Sequence, residues 1–435
     1  MVDDTIYALA TPGGTGAVAV IRISGPNAHA ALTTMLVGAL PPHRMASRRW
    51  LMAADGRRLD QALVLRFDGP ASFTGEDVVE LHCHGGRAVV QAVLQTLCDD
   101  PRLRLADPGE FTWCAYRNGR LDLTQVEALG DLIAADTERQ RHQAISGVSG
   151  AVREMAEEWR LTLIEALATV EASIDWADEE VPENVDTPVR ARLLPIIAAI
   201  ADLEAAAPAT ERLRGGYEAI LIGPPNSGKS TLFNTLAGRE VAIASPQPGT
   251  TRDTLEVSLD LQGLPVTLID TAGLRTDAEG IEEIGITRAR DRAKDADLRI
   301  ILVSPDTGAL PDIEDLKQPD DITVASKSDL GVSTQVDCMV SALEGDGIAG
   351  LLAMISARLS KRAAGAGVIG HERQRRAIGR ARAALETAEQ RLGQEMPELV
   401  AEEVRTALKA LESLVGRVAV DDVLDSVFSR FCLGK

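Results

Sequence analysis

The segment "GPPNSGKS" at residues 223–230 constrains the fold of this chain more than any other. It fits the pattern G-x-x-x-x-G-K-[ST] in full, follows the strand-like run "YEAILIG" and precedes the helix-like run "KSTLFNTLAG". A glycine-rich turn between a strand and the first turn of a helix lets backbone N–H groups surround phosphate oxygens. The sequence therefore predicts a P-loop, set in a mostly parallel sheet flanked by helices.

Two further motifs complete the predicted phosphate and Mg²⁺ site. Lys229 is expected to reach the β and γ phosphates, and the Ser230 hydroxyl to hold Mg²⁺. In the motif "DTAG", which ends the predicted strand "VTLID", Asp270 would hold Mg²⁺ and the N–H of Gly273 would meet the γ-phosphate. The intervening motif "PGTTRD" contains Thr251, which we predict closes over Mg²⁺.

The segment "ASKSDL" predicts the base that is bound. Guanine-specific GTPases use Asn-Lys-x-Asp after a strand, and here Lys327 and Asp329 match while Ser326 replaces the asparagine. The segment "SAL" supplies Ser341 and Ala342, where a backbone N–H is expected to meet the guanine oxygen. Losing one hydrogen-bonding side chain costs on the order of 1 kcal/mol. We therefore expect guanine preference to survive with weaker affinity, and the two segments argue against a P-loop ATPase or kinase.

The catalytic group is less evident. Leu274 follows "DTAG", so the water-orienting glutamine of Ras-type enzymes is missing there, and Arg252 and Arg275 are candidates for an arginine finger. Asn226 is an unusual residue inside a P-loop. Its carboxamide oxygen can hold a monovalent cation.

The local secondary-structure patterns along the chain predict three domains, in keeping with its 435 residues. Residues 1–118 mix short strands, such as "AVAVIRIS" and "DVVELHCH", with turns, and predict an N-terminal α+β domain. Residues 119–212 and 366–435 are helical in texture and predict one discontinuous helical domain. Residues 213–365 alternate strand and helix and predict an inserted, Ras-like G domain, so the fold class is multidomain α/β plus α.

Several local patterns predict where elements begin and end. Thr124 and Glu127 have capping-box spacing, residues 175–184 form an acidic run typical of a solvated loop, and Gly263 marks a hairpin turn. An apolar stripe with spacings of 4, 3 and 4 predicts a helix that stops at Gly416. The stripe is Val404, Leu408, Leu411 and Val415.

Charge and cysteine content narrow the class of protein. The net charge of −20 repels a polyanion such as tRNA, so any RNA contact needs a local basic patch or a partner protein. No uninterrupted apolar run is long enough to span a bilayer, and the first residues lack the basic region of a signal peptide. The five scattered cysteines suit reduced thiols, and we expect a cytoplasmic protein without a membrane contact.

Polar side chains share one face of a strand in the N-terminal part. Glu80, His82 and His84 alternate with apolar residues, and Arg22 lies on a similar strand. A row of polar side chains on one face of a strand suggests a binding site. A zinc site at His82 and His84 and plain surface histidines are the alternatives that the sequence leaves open.

The motifs "GPPNSGKS", "PGTTRD" and "DTAG" together resemble the TrmE–Era–EngA branch of GTPases. Longer segments resemble one family within it, the MnmE/TrmE tRNA-modification GTPases: "TIYALATPGGTGAVAVIRISG", "SFTGEDVVELHCHGG", "PGEFTWCAYRNGRLDLTQVEAL" and the terminal "FCLGK". The resemblance runs essentially end to end. An Era/EngA-like ribosome-assembly GTPase is the alternative, but Era-like chains end in a basic KH domain with a GXXG loop, whereas this tail is helical and partly acidic.

The resemblance implies a K⁺-dependent GTPase that forms a homodimer, with an N-terminal folate-binding and dimerisation domain. Together with an MnmG-type FAD protein, in a heterotetramer, it would build a carboxymethylaminomethyl-type group on C5 of the wobble uridine (U34) of certain tRNAs. The one-carbon unit would come from 5-formyl- or methylene-tetrahydrofolate. FAD would belong to the partner, which would also hold most of the tRNA.

The resemblance also implies roles for single residues. Mg²⁺ would be held by Ser230 and Thr251, and Glu282 would position the attacking water. The K⁺ ligands would be Asn226, Ser245, Gln247 and Thr250. The folate contacts would be Arg22, Glu80, Arg120 and Lys435. The nucleotide positions as a whole are Asn226, Ser227, Gly228, Lys229, Ser230, Thr231, Ser245, Gln247, Gly249, Thr250, Thr251, Asp270, Thr271, Ala272, Gly273, Ser326, Lys327, Asp329, Ser341 and Ala342.

The terminal "CLGK" has a cysteine at the position of a C-a-a-X prenylation box. Its middle residues are Leu-Gly and its last residue is Lys435, which does not fit such a box. By the resemblance, the tail would bring Cys432 and Lys435 to the folate site, with Gly434 allowing a close backbone approach. Cys432 is then a candidate nucleophile, and a packed thiol is the alternative.

Overall fold

A computed structural model describes residues 4–175, 185–239, 241–243, 255–270, 290–305, 317–330, 336–394, 396–417, 427–428, 431 and 434. The chain divides into two compact units. The first comprises Met1–Gly130, Arg153–Glu157 and Leu411–Lys435, and the second comprises Asp131–Val152 and Glu158–Ala410. The bounds of the three domains that the sequence suggests stay a prediction.

The first unit is built on a six-stranded sheet with the order β3-β4-β5-β2-β1-β6. Its strands are β1 (Thr5–Leu9), β2 (Val18–Ser24), β3 (Ser47–Met52), β4 (Arg58–Phe67), β5 (Val78–His84) and β6 (Leu103–Leu105). Neighbouring strands are antiparallel except for the parallel pair β1 and β6. The two strands predicted from "AVAVIRIS" and "DVVELHCH" are confirmed as β2 and β5.

Alternation along β2 and β5 gives this sheet one apolar and one polar face. Ile21, Ile23 and Leu81 are buried against the helices α1 (Ala28–Met35) and α2 (Arg87–Cys98). Arg22 and Glu80 are cross-strand partners in this register. A third helix, α3 (Glu110–Arg117), follows β6.

The second unit contains the predicted nucleotide-binding sheet, with the order β12-β11-β10-β7-β9-β8. Its elements are β7 (Tyr217–Ile222), α8 (Lys229–Ala237), β8 (Leu255–Leu261), β9 (Leu264–Asp270), β10 (Leu298–Val303), β11 (Ile322–Ala325) and β12 (Cys338–Met339). Among these strands, β8 and β9 are antiparallel and the other neighbours are parallel. The predicted hairpin turn is confirmed, since Gln262 and Gly263 join β8 to β9 with φ of 58° and 85°, as a tight two-residue turn requires.

The remaining helices are α4 (Leu123–Ala134), α5 (Glu138–Val148), α6 (Ala151–Asp175), α7 (Asp186–Gly215), α9 (Ile348–Ala363), α10 (Glu372–Arg391) and α11 (Pro397–Val415). Helix α7 packs along α10. Two ion pairs cross this contact, Arg190 with Glu389 at 2.9 Å and Arg382 with Glu204 at 2.6 Å. Among the described helices, α7 is the one that is long and apolar enough to cross a membrane. A single helix of this kind is weak evidence for a membrane span, and one face of α7 is buried within the protein.

The structure corrects the predicted start of α4. The helix begins after Asp122, whose Oδ1 accepts from the N–H of Gln125, while Gln125 Oε1 accepts from the N–H of Asp122. The capping box is therefore Asp122 with Gln125, two residues before the predicted pair of Thr124 and Glu127. The sequence contains both spacings, and an aspartate is the stronger N-cap of the two.

At the other end of the helical region, the prediction holds in part. Gly416 follows α11 with φ of 82° and ends it, as predicted. In the predicted stripe, Val404 and Leu411 are buried but Leu408 and Val415 are partly exposed. The buried face is completed instead by Val400, Ala401, Ala407, Ala410 and Leu414. Of the acidic run, Asp175 still belongs to α6, and 176–184 lie outside the described residues.

Candidate functional site

The P-loop has the backbone geometry that its glycines permit. Gly228 immediately precedes α8 with φ of 86°, and Asn226 also adopts a left-handed conformation with φ of 62°. A Cβ atom at Gly223 would lie 2.7 Å from Ser227 Oγ and 2.9 Å from the carbonyl of Leu302. Such distances exclude any other residue at Gly223, so the loop closes tightly over the ends of β7 and β10.

The P-loop lysine is already folded over its own loop. Lys229 is buried, and its ammonium donates to the carbonyls of Gly223 and Pro224, each at 2.9 Å. The side chain therefore lies in the concavity of the loop, where phosphate oxygens would replace the two carbonyls as acceptors.

The two predicted Mg²⁺ groups meet directly. Ser230 Oγ donates to Asp270 Oδ2 at 2.8 Å, and Asp270, the last residue of β9, is fully buried. A hydroxyl and a carboxylate at this separation are oxygen donors of the kind that Mg²⁺ requires, so the residues present fit the ion. Thr231, next along α8, is exposed and lies on the outer side of the first turn.

The structure gives Ser326 a different role from direct base recognition. Its buried hydroxyl lies 2.6 Å from the carbonyl of Ser227 and 3.2 Å from that of Val303. It therefore links the predicted guanine loop to the P-loop. Serine can form this link although its side chain is shorter than that of asparagine.

The other guanine-loop residues lie where the sequence predicts. Lys327 adopts φ of 54°, and Asp329 lies in the single turn Ser328–Leu330 that follows β11. Ser341 is buried, and the carbonyl of Ala342 accepts from Thr235 Oγ1 of α8 at 3.1 Å. The structure thus brings both base-binding segments close to the P-loop helix.

A second polar site lies in the first unit, on the polar face of its sheet. Arg22 donates from Nη2 to Glu80 Oε1 at 2.9 Å and from Nε at 3.1 Å. Its guanidinium lies 5.5 Å from the ring centroid of Phe73 and 5.6 Å from that of Phe111. His82 Nε2 lies 3.2 Å from the second oxygen, Glu80 Oε2. Both oxygens of the carboxylate are therefore engaged by cationic or polar neighbours.

The two histidines of the H-x-H pattern do not share a site. His84 Nδ1 lies 2.7 Å from Asp60 Oδ1, whereas His82 lies against Glu80. Burial of Asp60 opposes its ionisation, but hydrogen bonds from His84 outweigh this effect and lower the pKa of Asp60. The structure thus gives each histidine its own carboxylate, which removes the basis for a zinc site between them.

Arg120 lies beside the loop between β4 and β5, and Gly434 lies beside the end of β1. Arg120 is exposed, and a Cβ at Gly75 would lie 3.2 Å from its Cγ, which places it beside the loop that carries Phe73. At Gly434, φ is 94° and an added Cβ would lie 2.2 Å from the carbonyl of Leu9. The tail backbone therefore passes directly against the end of β1.

An aromatic cluster anchors the tail. Phe428 and Phe431 pack with Val126, Trp113 and Tyr116, and the Tyr116 hydroxyl donates to the carbonyl of Gly416 at 2.6 Å. A Cβ at Gly109, which precedes α3, would lie 2.4 Å from the carbonyl of Phe428. These contacts fix the tail within the first unit, a docking that the terminal motif alone could not reveal.

The first unit also contains a cavity of about 570 Å³. It lies between the loop 11–16, which carries "TPGGTG", and the start of α2, and β2 contributes Val18 and Ala19 to its wall. Because Arg22 lies on the same strand, the cavity and the Arg22–Glu80 pair share one structural element.

Eleven predicted site residues lie outside the described residues. They are Ser245, Gln247, Gly249, Thr250, Thr251, Thr271, Ala272, Gly273, Glu282, Cys432 and Lys435.

Of the five cysteines, Cys83, Cys98, Cys114 and Cys338 are free thiols. Burial raises the pKa of both Cys83 and Cys114 to about 12, so neither is a nucleophile at neutral pH.

The Ras-like sheet, the P-loop with its Ser230–Asp270 pair and the adjoining guanine loop define a P-loop GTPase. Two family models cover most of the chain: the MnmE helical domain matches residues 123–432, and the GTP-binding protein TrmE N-terminus matches residues 5–120. The chain therefore belongs to the MnmE family of tRNA modification GTPases.

Individual relatives agree over the full length. The tRNA modification GTPase MnmE of Roseobacter denitrificans is 49% identical over 99% of this chain and 100% of that protein. Its counterpart in Dinoroseobacter shibae is 50% identical with the same coverage. Among solved structures, the FeoB G domain of Methanococcus jannaschii is 27% identical over 33% of this chain and 98% of that one, with a TM-score of 0.26.

Proposed function

We propose that this GTPase hydrolyses GTP in a K⁺-dependent manner and uses it to drive modification at C5 of the wobble uridine of certain tRNAs, with a tetrahydrofolate supplying the one-carbon unit. The observation that carries the folate part is the Arg22–Glu80 pair beside the rings of Phe73 and Phe111, in a unit that also contains a glycine-lined cavity. An FAD-containing, MnmG-like protein is the proposed partner in a heterotetramer.

The polar groups of the first unit suit a folate. A pterin edge carries several N–H donors, and the Glu80 carboxylate, paired with Arg22, would accept hydrogen bonds from them. Phe73 is partly exposed and offers a ring face beside this pair. Arg120, next to the same loop, and Lys435 would supply the positive charge for the glutamate end of the ligand.

The nucleotide site suits GTP hydrolysis helped by two cations. Mg²⁺ would be held by Ser230 and Thr251, near Asp270, and K⁺ by Asn226, Ser245, Gln247 and Thr250, where it would supply positive charge beside the phosphates. Lys229 would release its two loop carbonyls and bind phosphate oxygens instead. Glu282 is the proposed group that positions the attacking water, and Ser326 keeps the guanine loop joined to the P-loop.

The net charge of the chain suits a complex in which the partner protein binds most of the tRNA. With a net charge of −20, this subunit is poorly suited to hold tRNA phosphates by itself, so the partner would hold most of the tRNA. We also propose a homodimer, because two G domains that face each other would complete the K⁺-dependent site. The reaction would take place in the cytoplasm.

The proposed function is tested by mass spectrometry of wobble uridine in tRNA from cells that lack this chain. We expect the modified nucleoside to disappear and to return with the wild-type gene. It should not return with Glu80→Ala, whereas the matched control His84→Ala, which also breaks a carboxylate–histidine contact on β5, should restore it. If deletion leaves the amount of the modified nucleoside unchanged, the proposed function is wrong. If Glu80→Ala restores the modification fully, only the proposed folate site is wrong.

Potassium dependence is tested by GTP turnover at equal ionic strength in KCl and NaCl. We expect a rate at least about tenfold higher in KCl, which corresponds to about 1.4 kcal/mol of transition-state stabilisation. Asn226→Ala should remove the difference between the two salts, because it removes a carboxamide oxygen from the P-loop. Equal wild-type rates in the two salts would contradict the assignment of K⁺ to Asn226.

A further inference from the structure

A histidine and two aspartates meet at the base of one loop in the first unit. The loop 68–77 connects β4 to β5, and Asp68 and Asp77 are its first and last residues. His29, the second residue of α1, lies between them: Nε2 is 3.5 Å from Asp68 Oδ1, and Nδ1 is 3.3 Å from Asp77 Oδ2. One ligand atom from each of the three residues lies within 4.8 Å of the others.

Two of these atoms are buried without a hydrogen bond. His29 Nε2 and Asp68 Oδ1 are both inaccessible to solvent, and neither forms a hydrogen bond among the described residues. Arg66 Nε lies 3.0 Å from Asp68 Oδ1 but forms no hydrogen bond there. Leaving a buried donor or acceptor without a hydrogen bond costs roughly 1–3 kcal/mol. The Arg66 ion pair offsets part of this cost at Asp68 Oδ1, so a group that binds His29 Nε2 would gain the most.

The spacing suits a metal ion better than a hydrogen bond. At 3.5 Å the contact between His29 Nε2 and Asp68 Oδ1 is at the outer limit for a hydrogen bond. In a tetrahedral site with ligands at about 2.0–2.1 Å, neighbouring donor atoms are roughly 3.3 Å apart. A small shift of the side chains would therefore place these two atoms in the coordination sphere of one ion. Asp77 Oδ2, which faces Nδ1 of the same ring, would have to turn toward that ion to become the third ligand.

The surroundings orient the two carboxylates from outside. Gly69 N–H donates to Asp77 Oδ1 at 2.9 Å, which leaves Oδ2 turned toward His29. The N–H of Asp68 donates to His43 Nδ1 at 2.9 Å, and Arg66 Nη2 donates to Asp68 Oδ2 at 3.1 Å. Backbone and side-chain donors of this kind commonly position ligating carboxylates. The Arg66 guanidinium pairs with Asp68, so a cation would offset the charge of Asp77.

We propose that His29, Asp68 and Asp77 form a binding site for a divalent transition ion of the Zn²⁺ class. Imidazole nitrogen together with carboxylate oxygen favours such an ion over Mg²⁺ or Ca²⁺, which take oxygen ligands. Asp68 and Asp77 are partly exposed, so water can occupy the remaining coordination position.

Such an ion would close the base of the loop that carries Phe73. The rest of the loop is held by other contacts: Thr74 Oγ1 lies 2.7 Å from Ser24 Oγ, and Arg117 pairs with Glu76 at 3.1 Å. The ion would therefore add a link between α1 and both ends of the loop. This proposal stands on the three side chains and does not depend on folate binding.

The test is a titration of the nucleotide-free, full-length protein with Zn²⁺ by isothermal calorimetry, together with Co²⁺ absorption. We expect one Zn²⁺ per chain, visible absorption bands of tetrahedral Co²⁺, and a rise in the unfolding temperature on adding Zn²⁺. Mg²⁺ at the same concentration should not compete. Loss of a direct ligand should weaken binding by at least about 100-fold, since even outer-shell changes cost 10–100-fold.

Matched variants separate this site from others. His29→Ala and the isosteric Asp77→Asn, which keeps an acceptor for Gly69, should both lose the Zn²⁺ site and the Zn²⁺-dependent rise in unfolding temperature. His84→Ala, which leaves the cluster intact, and Ser230→Ala, which alters the Mg²⁺ site, should bind Zn²⁺ as the wild type does. If the wild type takes up no Zn²⁺, or if His29→Ala and wild type bind it equally, the proposal is wrong. In the first case the imidazole only bridges the two carboxylates.

Discussion

Replacing Lys229 with alanine should lower the rate of GTP hydrolysis by about 10²–10³-fold, the usual cost of removing one group that stabilises developing charge in an active site. Lys229 is buried in the P-loop, and its ammonium already lies inside the loop, bonded to the carbonyls of Gly223 and Pro224. Without it, those carbonyls would face the phosphates with no positive charge between them.

The measurement is single-turnover hydrolysis of GTP, with the affinity for a fluorescent GDP analogue determined in parallel. Lys409→Ala, on an exposed position of α11, is the control for the loss of a lysine and should hydrolyse GTP at the wild-type rate. A Lys229→Ala rate within tenfold of the wild type at saturating GTP would show that the lysine does not act on the phosphates.

Two adjacent aspartates should differ sharply in their effect on stability. Asp321 and Arg299 form an ion pair at 2.8 Å in which both side chains are fully buried. Arg299 also donates to the carbonyls of Ala293 and Ala296, at 2.8 and 3.1 Å. Removing one partner of a buried pair leaves the other charge uncompensated, so Asp321→Ala should destabilise the second unit by about 3–5 kcal/mol.

The matched control is Asp320→Ala. Asp320 is a partly exposed neighbour that pairs with Arg358 at 3.6 Å and Arg362 at 3.3 Å, and the loss of solvent-accessible pairs costs about 0–1 kcal/mol. Hydrogen exchange of the amides in β10 and β11 measures the effect locally, which avoids assuming one transition for a chain of several domains. Similar exchange in the two variants would contradict the expected difference.

The local sequence predicted those parts of the site that adjacent residues form. The P-loop, the hairpin turn at Gln262–Gly263 and the strands β2 and β5 each follow from a continuous segment, because turn glycines and side-chain alternation act over a few residues. The same locality explains the error at α4. Two capping spacings overlap there, and only the hydrogen bonds show that Asp122 rather than Thr124 caps the helix.

Contacts between distant segments could not be predicted. Ser326 looked like a lost base contact, but its hydroxyl reaches the carbonyl of Ser227, 99 residues earlier. The pairing of Arg299 with Asp321 and the meeting of His29 with Asp68 depend on how strands and loops pack, and no spacing in the sequence encodes them. A polar strand face indicated a binding site at Glu80, but the two aromatic rings near Arg22 come from other elements.

The aromatic cluster around the tail also makes the chain suitable for optical spectroscopy. The four tryptophans are Trp50, Trp113, Trp159 and Trp176, and none of them falls within residues 213–365. Trp113 packs with Phe428 and Phe431, with the Arg117 guanidinium 4.8 Å from its ring centroid. Tryptophan emission therefore does not arise from the part of the chain around the nucleotide, and in a variant that keeps Trp113 alone a change in its signal would report displacement of Phe428 and Phe431. A fluorescent guanine nucleotide and the indole of Trp113 emit at different wavelengths. Nucleotide binding and movement of the aromatic cluster can thus be followed separately in one sample.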